Sequence, residues 1–265
     1  MAYRDTGAGV AVVFLHPTPL DGEYWLPLAE NLAGVRAIVP DLRGHGASEL
    51  GSLPMGGFAL VPDAPVLTMA RLAADVLVLL DHLDVHEAVF AGCSIGGSVL
   101  LELWRQASER VRGLAFVCSK PQPDAEANLT QRVATITQSR DGKSAALFDG
   151  MAQTLIGAAA RERHPEIVTQ LRARMTLTPE ALVALQAGLA ARPDSVPTIA
   201  TITVPILAIA GGEDPAATAV EMEAFNAAPG GCTFHLLADA GHCAAYEQPR
   251  KVAALLGAWL HQFGG

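Results

Sequence analysis

Short runs of apolar residues alternate along the chain with longer segments in which apolar residues recur every three or four positions. The short runs are rich in Val and Ile and are followed by turn residues, which is typical of buried strands. The runs that predict strands are Ala11–Leu15, Val35–Val39, Ala88–Ala91, Val111–Cys118 and Ile206–Ala210. Because these runs are apolar on both faces, they predict an α/β fold with a mostly parallel sheet flanked by helices.

The longer segments carry the periodicity of amphipathic helices. The segment Met69–Leu83 keeps its apolar residues on one face, and Thr68 precedes it as a capping residue. Pro249 opens a last helix, where its missing N–H has no cost. A further helix is predicted from Ser98 to Ala107.

The alternation stops between Pro121 and Ala200. This stretch has helical patterns, one of them beginning at Thr178, and no convincing strand before Ile202. We therefore predict an α/β core formed by residues 1–120 and 201–265, with residues 121–200 as a helical cap, or lid. A second insertion, Glu49–Leu67, is rich in Gly and Pro and predicts a loop near the carboxyl edge of the sheet.

Composition and charge narrow the function. The chain has 265 residues, 51% of them hydrophobic, which is enough for one large core. A formal net charge of −9 disfavours nucleic acid as a partner. No secretory signal and no apolar run long enough to span a bilayer are evident, so we expect a cytoplasmic protein with no membrane partner. The four cysteines lack zinc-ligand spacing and predict buried thiols, with no metal.

A candidate nucleophile lies directly after the third predicted strand. Gly92-Cys93-Ser94-Ile95-Gly96 matches G-x-S-x-G and stands between a strand and a helical segment. A sharp turn there would hold the Ser94 hydroxyl above the sheet, next to the positive end of a helix dipole. The alternative is an ordinary buried serine in a glycine-rich turn, which this context disfavours.

A serine hydroxyl needs a base, and His242 is the best placed of the eight histidines. It follows the strand-like run Cys232–Leu237 and precedes the last helix, where catalytic groups of open α/β sheets lie. Asp214, directly after the strand Ile206–Ala210, is the candidate partner of the base. Glu213 is the competing carboxylate, and we favour Asp214.

An acyl-transfer site also needs donors for an oxyanion. The backbone N–H of Ile95, the residue after the nucleophile, is the first candidate. The second should come from the loop after the first predicted strand. Pro17 and Pro19 have no N–H, which leaves Thr18 as the early donor in this loop. Its hydroxyl is a further candidate.

These residues carry a resemblance to a known family. From about Tyr3 to Phe263 the chain resembles the α/β-hydrolase fold family, in its branch of lidded serine esterases and enol-lactonases. The supporting motifs are Tyr3–Gly7, Leu15-His16, the G-x-S-x-G turn and Asp41–Ser48. The resemblance implies the triad Ser94, Asp214 and His242, oxyanion donors Thr18 and Ile95, no cofactor and structural roles for His16 and His45.

Two features differ from the family pattern. Relatives mostly have glycine where this chain has Pro17, which makes the shape of the oxyanion loop harder to infer. The motif Tyr3–Gly7 corresponds to the second strand of relatives, so we expect the first strand to be missing. A sheet lacking that strand has an exposed edge, and a homodimer is a hypothesis that follows from it.

The expected activity is cleavage of a small, uncharged or weakly polar carboxylic ester or lactone by a serine hydrolase. The same triad would serve a carbon–carbon bond hydrolase or a perhydrolase, and a non-catalytic small-molecule receptor is the alternative outside catalysis. Dehalogenases and epoxide hydrolases are disfavoured because those relatives have an aspartate as nucleophile at the position where this chain has Ser94. Cap residues proposed to line the pocket, or else to pack against the core, are Phe148, Met151, Leu155, Met175 and Leu177. Lys120 is either solvated or placed to bind a substrate carboxylate.

Overall fold

A central sheet organises the chain. The computed structural model describes residues 1–56 and 58–264, and within them the sheet has seven strands. The strands are β1 (Tyr3–Gly7), β2 (Val10–Leu15), β3 (Val35–Pro40), β4 (Ala88–Cys93), β5 (Val111–Val117), β6 (Ile206–Gly211) and β7 (Cys232–Leu237).

The order and direction of the strands place the candidate catalytic residues at one edge of the sheet. The order is β1-β3-β2-β4-β5-β6-β7, with β1 antiparallel to β3 and every other pair parallel. The carboxyl ends of β2 to β7 therefore lie at the same edge of the sheet. The loops that carry Thr18, Ser94, Asp214 and His242 all leave the sheet at this edge.

Helices cover the sheet and fill the connections between strands. They are α1 (Leu26–Ala29), α2 (Met69–His82), α3 (Ile95–Ala107), α4 (Glu126–Arg140), α5 (Ser144–Leu155), α6 (Ala158–Arg163), α7 (Ile167–Ala173), α8 (Pro179–Ala190), α9 (Val196–Ile199), α10 (Ala219–Met222), α11 (Ala244–Glu247) and α12 (Pro249–Leu260). The predicted cap of α2 is confirmed, because Thr68 Oγ1 accepts a hydrogen bond from the Arg71 N–H at 3.1 Å. Among these described helices, none has the length and apolar character required to cross a bilayer.

The apolar runs form the core as predicted. All residues of β4 and β6 are buried, and each of the five predicted strands is found with ends shifted by at most two residues. In contrast, all five residues of β1 are exposed. The apolar pattern did not predict β1, since it forms an antiparallel edge through backbone pairing with β3 alone.

The segment between β5 and β6 is helical, as predicted, and contains α4 to α9. Thr178 caps α8 by accepting a hydrogen bond from the Ala181 N–H at 3.2 Å. Helix α8 is buried along nearly its whole length, and its Ala184 C=O accepts a hydrogen bond from the Leu67 N–H at 2.9 Å. Within the predicted loop 49–67, apart from residue 57, the structure describes one isolated β-bridge, Met55 to Pro65, and neither helix nor strand.

Candidate active site

Ser94 lies in a strained turn between β4 and α3. Its φ of 54° and ψ of −115° fall in a region that L residues rarely adopt, at a cost of about 1–3 kcal/mol. The turn requires glycine on both sides. A Cβ on Gly92 would lie 2.5 Å from the Gly96 carbonyl carbon, and a Cβ on Gly96 would lie 2.2 Å from the Leu15 oxygen. The sequence thus builds a turn that holds one serine at the edge of the sheet.

Asp214 and His242 form a buried pair. The His242 Nδ1 lies 2.9 Å from both carboxylate oxygens of Asp214, and the Asp214 side chain is fully buried. Asp214 Oδ1 also accepts hydrogen bonds from the N–H groups of Ala216, at 2.8 Å, and Ala217, at 3.1 Å. Because carboxylate oxygens accept, the ring proton sits on Nδ1 and Nε2 keeps its lone pair. This is the tautomer that a general base needs.

Glu213 points elsewhere. Its Oε2 accepts a hydrogen bond from the Ala159 N–H at 3.2 Å, in the first turn of α6, and the residue is exposed. Of the two neighbouring carboxylates, the structure therefore places Asp214 and not Glu213 beside His242.

Ser94 and His242 line the same cavity. Among the described residues, the hydrogen bonds of Ser94 are made by its backbone. Its N–H donates to Val117 O at 3.3 Å, and its C=O accepts from Ser119 Oγ at 2.8 Å and from the Ser98 N–H at 3.3 Å. Within residues 1–56 and 58–264, which the structure describes, no hydrogen bond joins the Ser94 hydroxyl to His242. Such contacts are often loose without a substrate and tighten when one binds.

The loop after β2 is held by two neutral histidines. His16 Nδ1 donates to the Pro17 C=O at 3.0 Å, and its Nε2 accepts from the Leu42 N–H at 2.9 Å. His45 Nδ1 donates to the Arg43 C=O at 3.0 Å, so its Nε2 accepts from the Thr18 hydroxyl at 3.3 Å. These contacts agree with the structural roles that the resemblance implies for both histidines.

The two proposed oxyanion donors lie on different elements beside Ser94. Thr18 lines the cavity, and its hydroxyl is engaged with His45, which leaves its backbone N–H as the group available to an oxyanion. Ile95 is the first residue of α3, directly after Ser94, and the N–H groups of a first helical turn have no partner within the helix.

We expect the stability of the protein to fall on mild acidification because of His45. Burial lowers the pKa of His45 to about 4. Its pKa in the folded protein is thus below the ordinary unfolded value, so the unfolded chain takes up the proton first as the pH falls. Between about pH 7 and about pH 5 this group should remove about 2 kcal/mol of unfolding free energy, as measured by urea denaturation.

The control for this prediction is a matched pair of variants. His45→Gln should weaken the pH dependence, whereas His82→Gln, at an exposed histidine of α2, should leave it unchanged. An equal pH dependence in wild type and His45→Gln would show that His45 does not contribute.

Buried thiols and one carboxylate hold the loop that carries His242. Cys93 Sγ contacts the His242 carbonyl at 3.7 Å, and Cys118 Sγ contacts the Gly241 carbonyl at 3.5 Å. Burial raises the pKa of both thiols well above the ordinary value, so they remain protonated donors. Glu247 Oε2 accepts from the N–H groups of Gly241, at 2.9 Å, and Gly157, at 3.2 Å. Glu247 therefore ties the histidine loop to the turn before α6.

The cavity beside Ser94 has a volume of about 390 Å³ and is walled by both the sheet edge and the helices between β5 and β6. Of the predicted pocket residues, Met151, Leu155 and Lys120 line it. Phe148 and Met175 do not. They are 4% and 3% exposed and pack in the hydrophobic core. For Phe148, on α5, the apolar spacing along a helix is the same at core and at pocket positions, so it does not separate the two. Met175 lies after the end of α7, outside any helix. Leu177 packs in the same core.

Sequence reasoning missed a group of charged residues in the cavity wall. Asp124, Arg132 and Arg192 line the cavity, and both arginines pair with Asp124, although Arg192 is 68 residues away from it in the chain. No local pattern marks them, since α4 reads as a polar helix and Arg192 follows the end of α8. In the described residues, no three His, Cys, Asp or Glu side chains are grouped as ligands for a metal.

Comparison with known proteins identifies the class to which this fold and site belong. The model of the alpha/beta hydrolase family matches residues 12–255, and the chain belongs to this family. A structure of a thermophilic esterase from Thermogutta terrifontis, with malate bound, superposes with a TM-score of 0.90 at 30% identity, covering 100% of this chain and 94% of that one.

Two further relatives carry enol-lactonase names. The enol-lactonase structure from Burkholderia xenovorans LB400 has a TM-score of 0.85 at 25% identity, over 98% of this chain and 96% of that one. The 3-oxoadipate enol-lactonase 2 of Acinetobacter baylyi is 29% identical over 84% of this chain and 78% of its own length.

The chain covers less than two thirds of two curated relatives. The match takes in 49% of a putative non-heme chloroperoxidase from Synechocystis, over 58% of this chain, and 64% of the acetyltransferase component of the acetoin cleaving system from Cupriavidus necator, over 96% of this chain.

Proposed function

We propose that this protein is a serine hydrolase that cleaves a small carboxylic ester or lactone through an acyl-enzyme intermediate. The observation that carries the proposal is the joint placement of a strained serine, Ser94, and a buried His242–Asp214 pair in the wall of one cavity. The esterase and enol-lactonase names of the relatives support the same type of bond.

The proposed reaction has two halves, acylation and deacylation, and His242 acts first as base and then as acid in each. His242 Nε2 takes the proton of the Ser94 hydroxyl while Oγ attacks the carbonyl carbon. The resulting oxyanion is stabilised by the N–H groups of Thr18 and Ile95. The intermediate collapses, the alkoxide leaves, and His242 returns the proton to it. Water, deprotonated by His242, then attacks the acyl-enzyme. The second intermediate collapses, His242 returns the proton to Ser94 Oγ, and the acid is released.

In this proposal residues 121–200 act as a cap over a core formed by residues 1–120 and 201–265. The support is that α5 contributes Met151 and Leu155 to the cavity wall, while Ser94 and His242 come from the sheet edge. The cap would exclude water and set the size of the substrate. A cytoplasmic location and a homodimer stay predictions, which cell fractionation and light scattering would check.

The experiment that tests the proposed function is hydrolysis of a series of 4-nitrophenyl esters, acetyl to decanoyl, together with simple lactones. We expect turnover with an optimum at short acyl chains, since the cavity is small. Parallel assays with a diketone, and with acetate plus hydrogen peroxide, report on carbon–carbon hydrolysis and perhydrolysis. Turnover of only these alternatives would contradict ester hydrolysis, and thermal stabilisation by ligands without any product would favour a receptor.

A further inference from the structure

The wall of the cavity beside Ser94 contains two partly buried arginines that share one carboxylate. Arg132 pairs with Asp124 through Nε, and Arg192 Nη2 donates to Asp124 Oδ1 at 2.9 Å. Both arginines and Asp124 line the same cavity as Ser94 and His242. Arg132 is further held by Gln186, whose Oε1 accepts from Nη1 at 2.8 Å.

The charges in this wall do not balance. Lys120 is paired with Glu221, with 2.5 Å between Nζ and Oε1. Two guanidinium groups remain against the single carboxylate of Asp124, which leaves one positive charge. Two partly buried positive charges that share one carboxylate repel each other, and the excess positive charge is therefore a place where an anion would be stabilised.

Arg192 is the residue that carries the unused donors. Its side chain is 12% exposed, and its buried Nε has no partner in the described residues. Burial lowers the pKa of Arg192, the charges of Asp124 and Glu221 oppose this shift, and the neighbouring charge of Arg132 adds to it. An anion in the cavity would offset the repulsion between the two arginines, and Nη1 of Arg192, which has no hydrogen-bond partner among the described residues, is the donor left for it.

We propose that the substrate of this hydrolase carries a free carboxylate in addition to its ester or lactone bond, and that Arg192, supported by Arg132, binds this carboxylate. The inference rests on the proposed function and specifies its substrate class. It replaces the expectation of an uncharged substrate that the sequence alone favours.

A monoanionic carboxylate fits the site better than a phosphate group does. The unbalanced charge in the wall is one, and Asp124 would repel a second negative charge on the ligand. The planar guanidinium also matches the planar carboxylate in a two-point contact. A local positive site is needed because the chain as a whole, at −9, repels anions.

The test compares substrates that differ only in this charge. The substrates are the 4-nitrophenyl monoesters of glutaric and pimelic acid, each paired with its methyl ester, with the spontaneous rates subtracted. For at least one chain length we expect the free acid to have a kcat/KM about 10- to 100-fold higher, mainly through a lower KM. Equal values, or a preference for the methyl ester at both lengths, would overturn the proposal.

Two variants test whether Arg192 causes the preference for the free acid. Arg192→Met should abolish the preference for the free acid, measured as the ratio of kcat/KM for the free acid to kcat/KM for its methyl ester. The control Arg140→Met removes an arginine at the end of α4 that pairs with Asp63 at the surface, and it should keep the preference. Persistence of the full preference in a folded Arg192→Met would contradict the assignment.

A binding measurement separates this inference from the proposed function and from misfolding of Arg192→Met. Calorimetry on the Ser94→Ala variant compares monomethyl with dimethyl esters of glutarate and pimelate. About tenfold tighter binding of a monomethyl ester supports the carboxylate subsite even if no ester is hydrolysed. Equal binding at both lengths rejects the subsite even if simple esters are good substrates.

Discussion

Replacing Ser94 with alanine should lower kcat for any ester that the protein hydrolyses by about 10⁴- to 10⁶-fold. The variant lacks the atom that forms the acyl-enzyme, so only direct attack by water remains, assisted by the oxyanion donors. The fold should be retained, because the hydrogen bonds of Ser94 in the described structure are made by its backbone. Steady-state kinetics on 4-nitrophenyl acetate, with circular dichroism to check folding, measure the effect.

Ser98→Ala is the matched control. Ser98 is a buried serine one helical turn further along α3, with its N–H bonded to the Ser94 C=O at 3.3 Å. Its substitution should change kcat by less than about threefold. If Ser94→Ala kept more than about a tenth of the wild-type rate, Ser94 would not be the nucleophile.

Asp214→Asn should lower kcat by about 10⁴-fold while leaving the shape of the site intact. Asp214 Oδ1 accepts from Ala216 and Ala217, so the oxygen of the new amide would keep these bonds. The amide NH₂ would then face His242 Nδ1, which must become an acceptor. The ring proton would move to Nε2, and the histidine could no longer accept the proton of Ser94.

Glu213→Gln is the control for this second prediction. Its side chain bonds the Ala159 N–H in the first turn of α6, and a glutamine oxygen can keep that bond. Its kcat should stay within about threefold of wild type. A loss on Glu213→Gln as large as on Asp214→Asn would mean that the carboxylate partner of His242 has been misassigned. Single-turnover kinetics on both variants would show whether acylation is the step affected.

The sheet could be predicted from the sequence because burial on both faces leaves a continuous apolar run. Strands β4 and β6 are buried at every position, and their runs were found with nearly the observed ends. Strand β1 has no buried residue, and its pairing with β3 depends on backbone hydrogen bonds. Hydrophobic periodicity contains no information on such a strand.

The candidate catalytic residues were identifiable because each follows a predicted strand at its carboxyl end. Chain order and strand direction therefore suffice to bring Ser94, Asp214 and His242 to one edge of the sheet. The structure places Asp214 and His242 in contact and both Ser94 and His242 in one cavity wall. Their catalytic roles stay predictions until the variants are measured.

The substrate pocket could not be predicted in the same way. Helix α5 carries both Met151, in the cavity wall, and Phe148, in the core, and its apolar periodicity does not separate them. The pairing of Asp124 with Arg192 joins residues 68 positions apart. Glu247 lies close to His242 in sequence, but its bond to Gly157 depends on how the helices dock. Such contacts are set by tertiary packing.

The central claim is that Ser94 forms a covalent bond with the acyl group. The most direct measurement is mass spectrometry of the protein after treatment with a fluorophosphonate, in which a serine oxygen displaces fluoride from phosphorus. The account predicts one adduct per chain, located on the peptide that contains Ser94 and absent in Ser94→Ala. A labelled residue other than Ser94, or an unlabelled protein that still hydrolyses esters, would contradict it.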